Sequence, residues 1–259
     1  MFKQMTQKNT RKLLSIISIA TASLALTNVA NATIVEFQTS QGNFKVNLFD
    51  QTTPETVTNF LNYVNSGYYT DTIVHRVVSD FVVQAGGYKF EGDWPLTRLN
   101  ANSAVINEPV YSNVTGTIAM AKLGSDVNSA TDQWFFNLSD NSGNLDSQNG
   151  GFTAFGQVIG DGMTVVNKIA NLTICSDIPL VIDEGQVCND IVVPGVENFV
   201  VIEQIVIVDS SEVTDSDLKP QLTTNQPASE DSGGSISWFT FGMLTLLAIR
   251  KRFTKLFTK

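Results

Sequence analysis

Between Val74 and Gly87 the chain reads VHRVVSDFVVQAGG. An apolar run carries three polar side chains, His75, Arg76 and Gln84. Val74, Val77, Val78, Phe81, Val82 and Val83 are β-branched or aromatic, which predicts strand broken by a turn at Ser79-Asp80. Gly86-Gly87 closes the run, where backbone needs freedom or close approach. A guanidinium and a carboxamide on such strands require partners or a ligand, because burying them unpaired costs free energy. A cation fixed against apolar walls can stabilise electron density that develops on a bound group. Other chemistries lack a motif: there is no P-loop and no G-x-G-x-x-G, and one histidine with two cysteines offers no zinc spacing.

The HRVVSDFVVQAGG stretch resembles the signature of cyclophilin-type peptidyl-prolyl isomerases. Three later stretches match the same family in the same order: Gly116–Ala121 its GxxxMA segment, Ser129–Phe135 its SQFF segment, and Phe155–Val158 its FGKV segment. The likeness spans about Thr33 to Asp209, and four ordered motifs are far more specific than one. The resemblance implies a mainly β fold, an eight-stranded antiparallel barrel with a helix capping each end. It also implies roles. Arg76 is the catalytic cation, Gln84 orients it and contacts the substrate carbonyl, and Phe81, Val82, Phe135 and Leu145 line a proline socket. Gln133 and Ala121 hold the peptide backbone, and Phe152 packs on the proline ring. His75 is read as a structural hydrogen-bonding residue, and no cofactor or metal is implied.

The chain departs from the family pattern at four places. Asn144 stands where many members have an aromatic residue that also anchors cyclosporin A, so weak cyclosporin A binding is expected. Phe152 replaces a histidine, Trp134 replaces a phenylalanine and is expected to point into the core, and Val82 replaces the commoner methionine.

These residues need elements to place them. Ile34 and Phe37, then Phe44, Val46 and Leu48, predict two strands joined at Gln41-Gly42-Asn43. Thr52-Thr53-Pro54-Glu55 predicts a helix start with a capping box, and Val57, Phe60, Leu61 and Val64 share one helical face up to Gly67. Residues 89–114 read as loop. Strands are expected at 115–121, 133–138 and 153–159, with a polar surface loop at 139–151. Met163, Val165, Val166, Ile169 and Ala170 predict a second helix, and 200–208 a final strand. Several strands, two helices and no βαβ rhythm also indicate an antiparallel barrel.

The 259 residues carry a net charge of −9, which argues against a nucleic-acid partner. Lys3, Lys8, Arg11 and Lys12, an apolar run from Leu13 and then Ala30-Asn31-Ala32 have the layout of a secretory signal peptide, residues 1–32. The isomerase-like domain is expected at 33–209 and a solvated acidic linker at 210–232. In 233–259, Gly233-Gly234, a short apolar stretch and Arg250-Lys251-Arg252 resemble the GlyGly-CTERM sorting tail of some bacteria, which a rhomboid-like protease is thought to remove; the alternative is a retained anchor. The protein is therefore expected outside the cytoplasm, in the periplasm or cell envelope, as a monomer. Cys175 and Cys188 flank an inserted loop. In an oxidising compartment they would form a disulfide, and otherwise they are two free thiols.

Two functions fit this reading. One is an isomerase acting on X–Pro bonds of exported proteins, with proline-containing polypeptides as partners. The other is a proline-peptide-binding chaperone or scaffold with little turnover.

Overall fold

The computed structural model describes residues 33–190, 194–211 and 218–224. The signal-peptide and sorting-tail expectations lie outside those residues. The strands in chain order are β1 (Ile34–Thr39), β2 (Phe44–Leu48), β3 (Thr72–Ile73), β4 (Arg76–Val78), β5 (Val82–Ala85), β6 (Tyr88–Lys89), β7 (Thr97–Arg98), β8 (Thr117–Met120), β9 (Trp134–Asn137), β10 (Ala154–Ile159), β11 (Thr173–Cys175), β12 (Ile178–Leu180) and β13 (Val201–Asp209). The helices are α1 (Pro54–Asn65), α2 (Ser142–Leu145) and α3 (Met163–Ala170).

The strand ladders are antiparallel, and the order in the main sheet is β4-β5-β9-β8-β10-β2-β1-β13-β3-β6-β7. This is the mainly β architecture with helices that the motifs imply, but the strand count of eight is corrected. Among the described residues eleven shorter strands form the sheet, and no ladder joins its ends, β4 and β7. The circuit is instead carried round by the chain itself. Extended residues 72–78 change partner midway: Val74 donates its N–H to Val200 and His75 to Gln84. Thus β3 pairs with β13 while β4 pairs with β5.

Two-residue periodicity separates two faces of the strands. Val77, Val83, Trp134, Phe136, Ile118 and Met120 point into the main core with Phe37, Phe44 and Phe60. Phe37 meets Phe44 in a stack at 5.0 Å and Trp134 edge-on at 5.1 Å, so Trp134 does face inward. The opposite face carries Arg76, Val82, Gln84, Phe135 and Ala119, brought into line by the pairs Arg76↔Gln84, Gln84↔Phe135 and Ala119↔Phe135. A slip of one residue in β4 or β5 would turn the cation and amide into the aromatic core, so the core itself fixes the register of the polar pair.

Helix α1 buries Val57, Phe60 and Val64 as its spacing predicts. The capping box is corrected: no side chain of Thr53 caps the helix. Glu108, distant in sequence, accepts from the N–H groups of Glu55 and Thr56 at 3.3 and 2.9 Å, a carboxylate at the positive end of the helix. The polar loop 139–151 contains the single-turn helix α2, and its Leu145 and Asp146 are buried.

Cys175 and Cys188 are disulfide-bonded. Cys175 ends β11 of the β11–β12 hairpin, whose turn residues Ser176 and Asp177 have positive φ. The Asp177 carbonyl accepts the Val77 N–H at 2.6 Å, so this hairpin occupies the outer edge of β4. Part of the stretch read as solvated linker is also docked. Ser112 donates its N–H to Gln221 and Thr223 donates its N–H to Val110, at 2.8 and 2.9 Å.

Candidate active site

On the face opposite the core, Arg76, Phe81, Val82, Gln84, Ala121, Lys122, Phe135, Asn144, Leu145, Gln148 and Phe152 surround a cavity of about 290 Å³. The sheet supplies the cation, the amide and the floor. The 139–152 loop supplies Leu145 and Phe152 as the far wall. Val82, Phe135 and Leu145 pack in one cluster with Ala119 and Ala154, and Phe81, Ala121 and Phe152 rest against it. Phe135 and Phe152 meet edge to face at 6.0 Å.

The loop is pinned by a buried polar network. Asn113 gives its backbone N–H and its amide to Asp146 Oδ1, and its amide also to the Phe152 carbonyl at 3.0 Å. Asn141 bonds both Asn137 Oδ1 and the Phe81 carbonyl. Each bond satisfies a group that would otherwise be costly to bury, so the apolar wall is held by polar contacts behind it.

The polar side of the cavity is a relay. Arg76 Nη1 donates to Gln84 Oε1 at 3.3 Å, and Gln84 Nε2 donates to Gln133 Oε1 at 2.9 Å. Gln84 is therefore committed at both ends of its amide. Gln133 is hydrogen-bonded to Gln84 and is not among the residues that line the cavity, unlike the other substrate-binding residues expected from sequence. Its backbone carbonyl accepts the N–H of Ala121 at 2.9 Å, which ties the two backbone-holding residues to each other.

His75 lies next to this relay with its ring 4.7 Å from that of Tyr88. Burial pushes its imidazole down to about 4, against opposing interactions with the Ile73 backbone and Gln133. Its Nδ1 is buried without a hydrogen-bond partner.

Two features were missed in the sequence. Lys122 lies 5.0 Å from the Phe152 ring centre and donates to the carbonyls of Asn149 and Gly151, joining two loops at the cavity rim. Only its place after the GxxxMA segment could have drawn attention to it. Asp132, fully buried, is gripped by Arg98 through two bonds of 2.6 and 2.7 Å, and by Tyr68 and Thr131. Burial pushes its carboxyl up, but these donors outweigh burial and hold it below its usual range.

Fold and cavity together define a mainly β protein with a cavity in which a cation lies beside apolar walls. The family model described as "Cyclophilin type peptidyl-prolyl cis-trans isomerase/CLD" matches residues 34–188. Over 141 residues the chain is 38% identical to a peptidyl-prolyl cis-trans isomerase of Acinetobacter baylyi, covering 54% of this chain and 73% of that relative. Over 143 residues it is 38% identical to peptidyl-prolyl cis-trans isomerase B of Escherichia coli, covering 52% and 83%. A solved cyclophilin type isomerase of Cryptosporidium parvum covers 69% of this chain and is itself covered to 99%, at 24% identity and a TM-score of 0.49. The chain belongs to the cyclophilin type peptidyl-prolyl cis-trans isomerase family. Its activity is isomerisation of X–Pro peptide bonds.

Proposed function

We propose that this isomerase acts on proline-containing polypeptides outside the cytoplasm, with Arg76 as its catalytic cation. Rotation about an X–Pro bond must cross about 18–20 kcal/mol, because the amide is resonance-stabilised. No bond is broken, so the catalyst has only to favour the twisted amide over both planar forms. In the twisted amide the nitrogen regains a lone pair. A guanidinium held beside it stabilises that lone pair more than the delocalised ground state. The socket of Phe81, Val82, Phe135, Leu145 and Phe152 grips the proline ring while the preceding segment swings. Gln84 keeps the guanidinium aimed, and Gln133 and Ala121 set the edge along which the peptide backbone lies.

The observation that carries this mechanism is that Arg76 and Phe135 line one cavity. A protease-coupled assay on a proline peptide tests it. Arg76→Ala should lower kcat/KM by about 10²–10³ with the fold intact, the cost typical of removing one electrostatic stabiliser. An unchanged rate would remove Arg76 from the mechanism.

The basic-apolar-AxA start and the glycine, apolar and basic tail support export, with release or retention at a membrane by a rhomboid-like protease or an uncleaved anchor. Mass spectrometry of the mature protein reads both ends. The protein is proposed to work as a monomer, which sedimentation would test. A second reading, a proline-peptide binder with little turnover, is favoured by Asn144 and Phe152 in the cavity wall. Binding of the proline peptide without rate enhancement would select it.

A further inference from the structure

We propose that the Arg98–Asp132 ion pair is a positioning device for the catalytic relay, acting on Arg76 through Gln133 and Gln84. The inference rests on the catalytic reading of that relay and adds to it residues outside the cavity.

Residue 132 is immobilised from three sides. Both carboxylate oxygens accept from the Arg98 guanidinium, and Tyr68 and Thr131 donate as well. Its backbone carbonyl accepts the Tyr69 hydroxyl at 3.0 Å. The third side is the Gly86-Gly87 corner that ends β5. A Cβ on Gly86 would run into the Asp132 carbonyl, and one on Gly87 would lie 2.6 Å from Arg98 Nη1 and 2.8 Å from Asp132 Oδ2. Both glycines also have positive φ. The corner is therefore built to let the ion pair reach the backbone, and Arg98 uses the access by donating to the Gly87 carbonyl at 2.9 Å.

The next residue is Gln133. Fixing Asp132 fixes the direction in which Gln133 leads into β9, and the Gln133 Oε1 is the acceptor for Gln84 Nε2. Gln84 in turn accepts from Arg76. The same ion pair thus clamps the backbone beside both glutamines of the relay: Asp132 precedes Gln133, and the Gly87 corner follows the strand that carries Gln84. The guanidinium is long, forked and bidentate, which fixes orientation as well as distance. A misaligned relay leaves Arg76 free to rotate away from the amide nitrogen, and loss of alignment falls on kcat more than on KM.

The test uses Asp132→Asn, Arg98→Met, Arg98→Lys and Tyr68→Phe in the full chain. The expected result is a fall of about tenfold in kcat for Asp132→Asn and Arg98→Met, with KM for the proline peptide changed less than about twofold. Arg98→Lys, which keeps the charge, should recover part of the loss. In nitrogen-15 spectra the side-chain amides of Gln84 and Gln133 should shift or broaden, while backbone signals of β1, β2 and β13 stay in place. Stability loss alone would not move those two amides selectively. Unchanged kcat in folded Asp132→Asn and Arg98→Met would overturn the proposal. So would a loss of kcat with both amides unmoved. Should those two variants fail to fold, Tyr68→Phe, which removes one donor, decides by the same amide shifts. A wild-type chain without isomerase turnover would overturn the catalytic reading instead, and the amide shifts would still judge the positioning.

Discussion

Arg76 and Gln84 face each other across the β4–β5 ladder, and the guanidinium donates to the amide oxygen over 3.3 Å. The bond is long for an N–H···O contact, which leaves the guanidinium room to move onto a ligand while remaining guided. Because Gln84 also donates to Gln133, its amide cannot flip without breaking both contacts. Gln84→Ala should therefore leave the arginine in the cavity but unaimed. We expect kcat/KM to fall by about tenfold to a hundredfold in the protease-coupled assay, with a smaller effect on peptide affinity. Equal losses in affinity and kcat/KM would assign Gln84 to binding alone.

Asn144 lines the cavity and is exposed, at the place where the family resemblance sets an aromatic anchor for cyclosporin A. An indole there would cover apolar surface that the amide leaves open, worth on the order of 1–2 kcal/mol. Asn144→Trp should tighten cyclosporin A binding by about tenfold or more in calorimetry. Unaltered affinity would show that Asn144 is not the determinant.

The Cys175–Cys188 bond closes a loop across 13 residues of sequence. On a chain-entropy argument, replacing both cysteines with serine should cost about 3 kcal/mol of stability, seen as a lower urea midpoint. Dithiothreitol should reproduce the shift in the native chain and leave the double variant unmoved. Because Asp177 in the same hairpin holds the Val77 N–H, the amide of Val77 should exchange faster once the bond is gone.

His75 gives the fold a dependence on acidity. In the unfolded chain an imidazole titrates near 6.5, and burial lowers it to about 4 in the native state. Between those values the unfolded chain takes up a proton that the native chain refuses. Stability from this group is complete above about pH 6.5, declines as pH falls toward 4, and levels off below, by up to about 3 kcal/mol. Urea unfolding of the native chain and of His75→Phe should show that slope shrink in the variant. An identical slope in both would place the acid sensitivity elsewhere.

The cation, the amide and the socket were legible because they lie within short motifs whose strand periodicity dictates a common face. Arg76, Gln84 and Phe135 meet through two adjacent ladders, and alternation alone orders such residues. Long-range partners were not legible. Glu108 reaches α1 from 52 residues away, and Arg98 reaches Asp132 across 34. Nothing in local propensity records such a contact, so the spacing of Thr52 and Glu55 predicts a capping box instead. The strand count failed for a related reason. Strands β3, β6 and β7 are two residues long, below any periodicity that a sequence can display. The 218–224 segment is polar, and its backbone hydrogen bonds leave no trace in composition.

That docked segment has a mechanical consequence. Its Leu222 bridges to Tyr111, which packs on the cluster of Phe135 and Leu145. Tension on the C-terminus would load the Thr223–Val110 bond first, then the bond from the Ser112 hydroxyl to the Leu222 carbonyl and then Ser112–Gln221, peeling them in sequence like a zip before any force reaches β13. An optical trap pulling on the last residue should record a small early extension ahead of the main rupture. The segment would then be a fuse, sparing the barrel-like sheet while the wall behind the proline socket feels the pull.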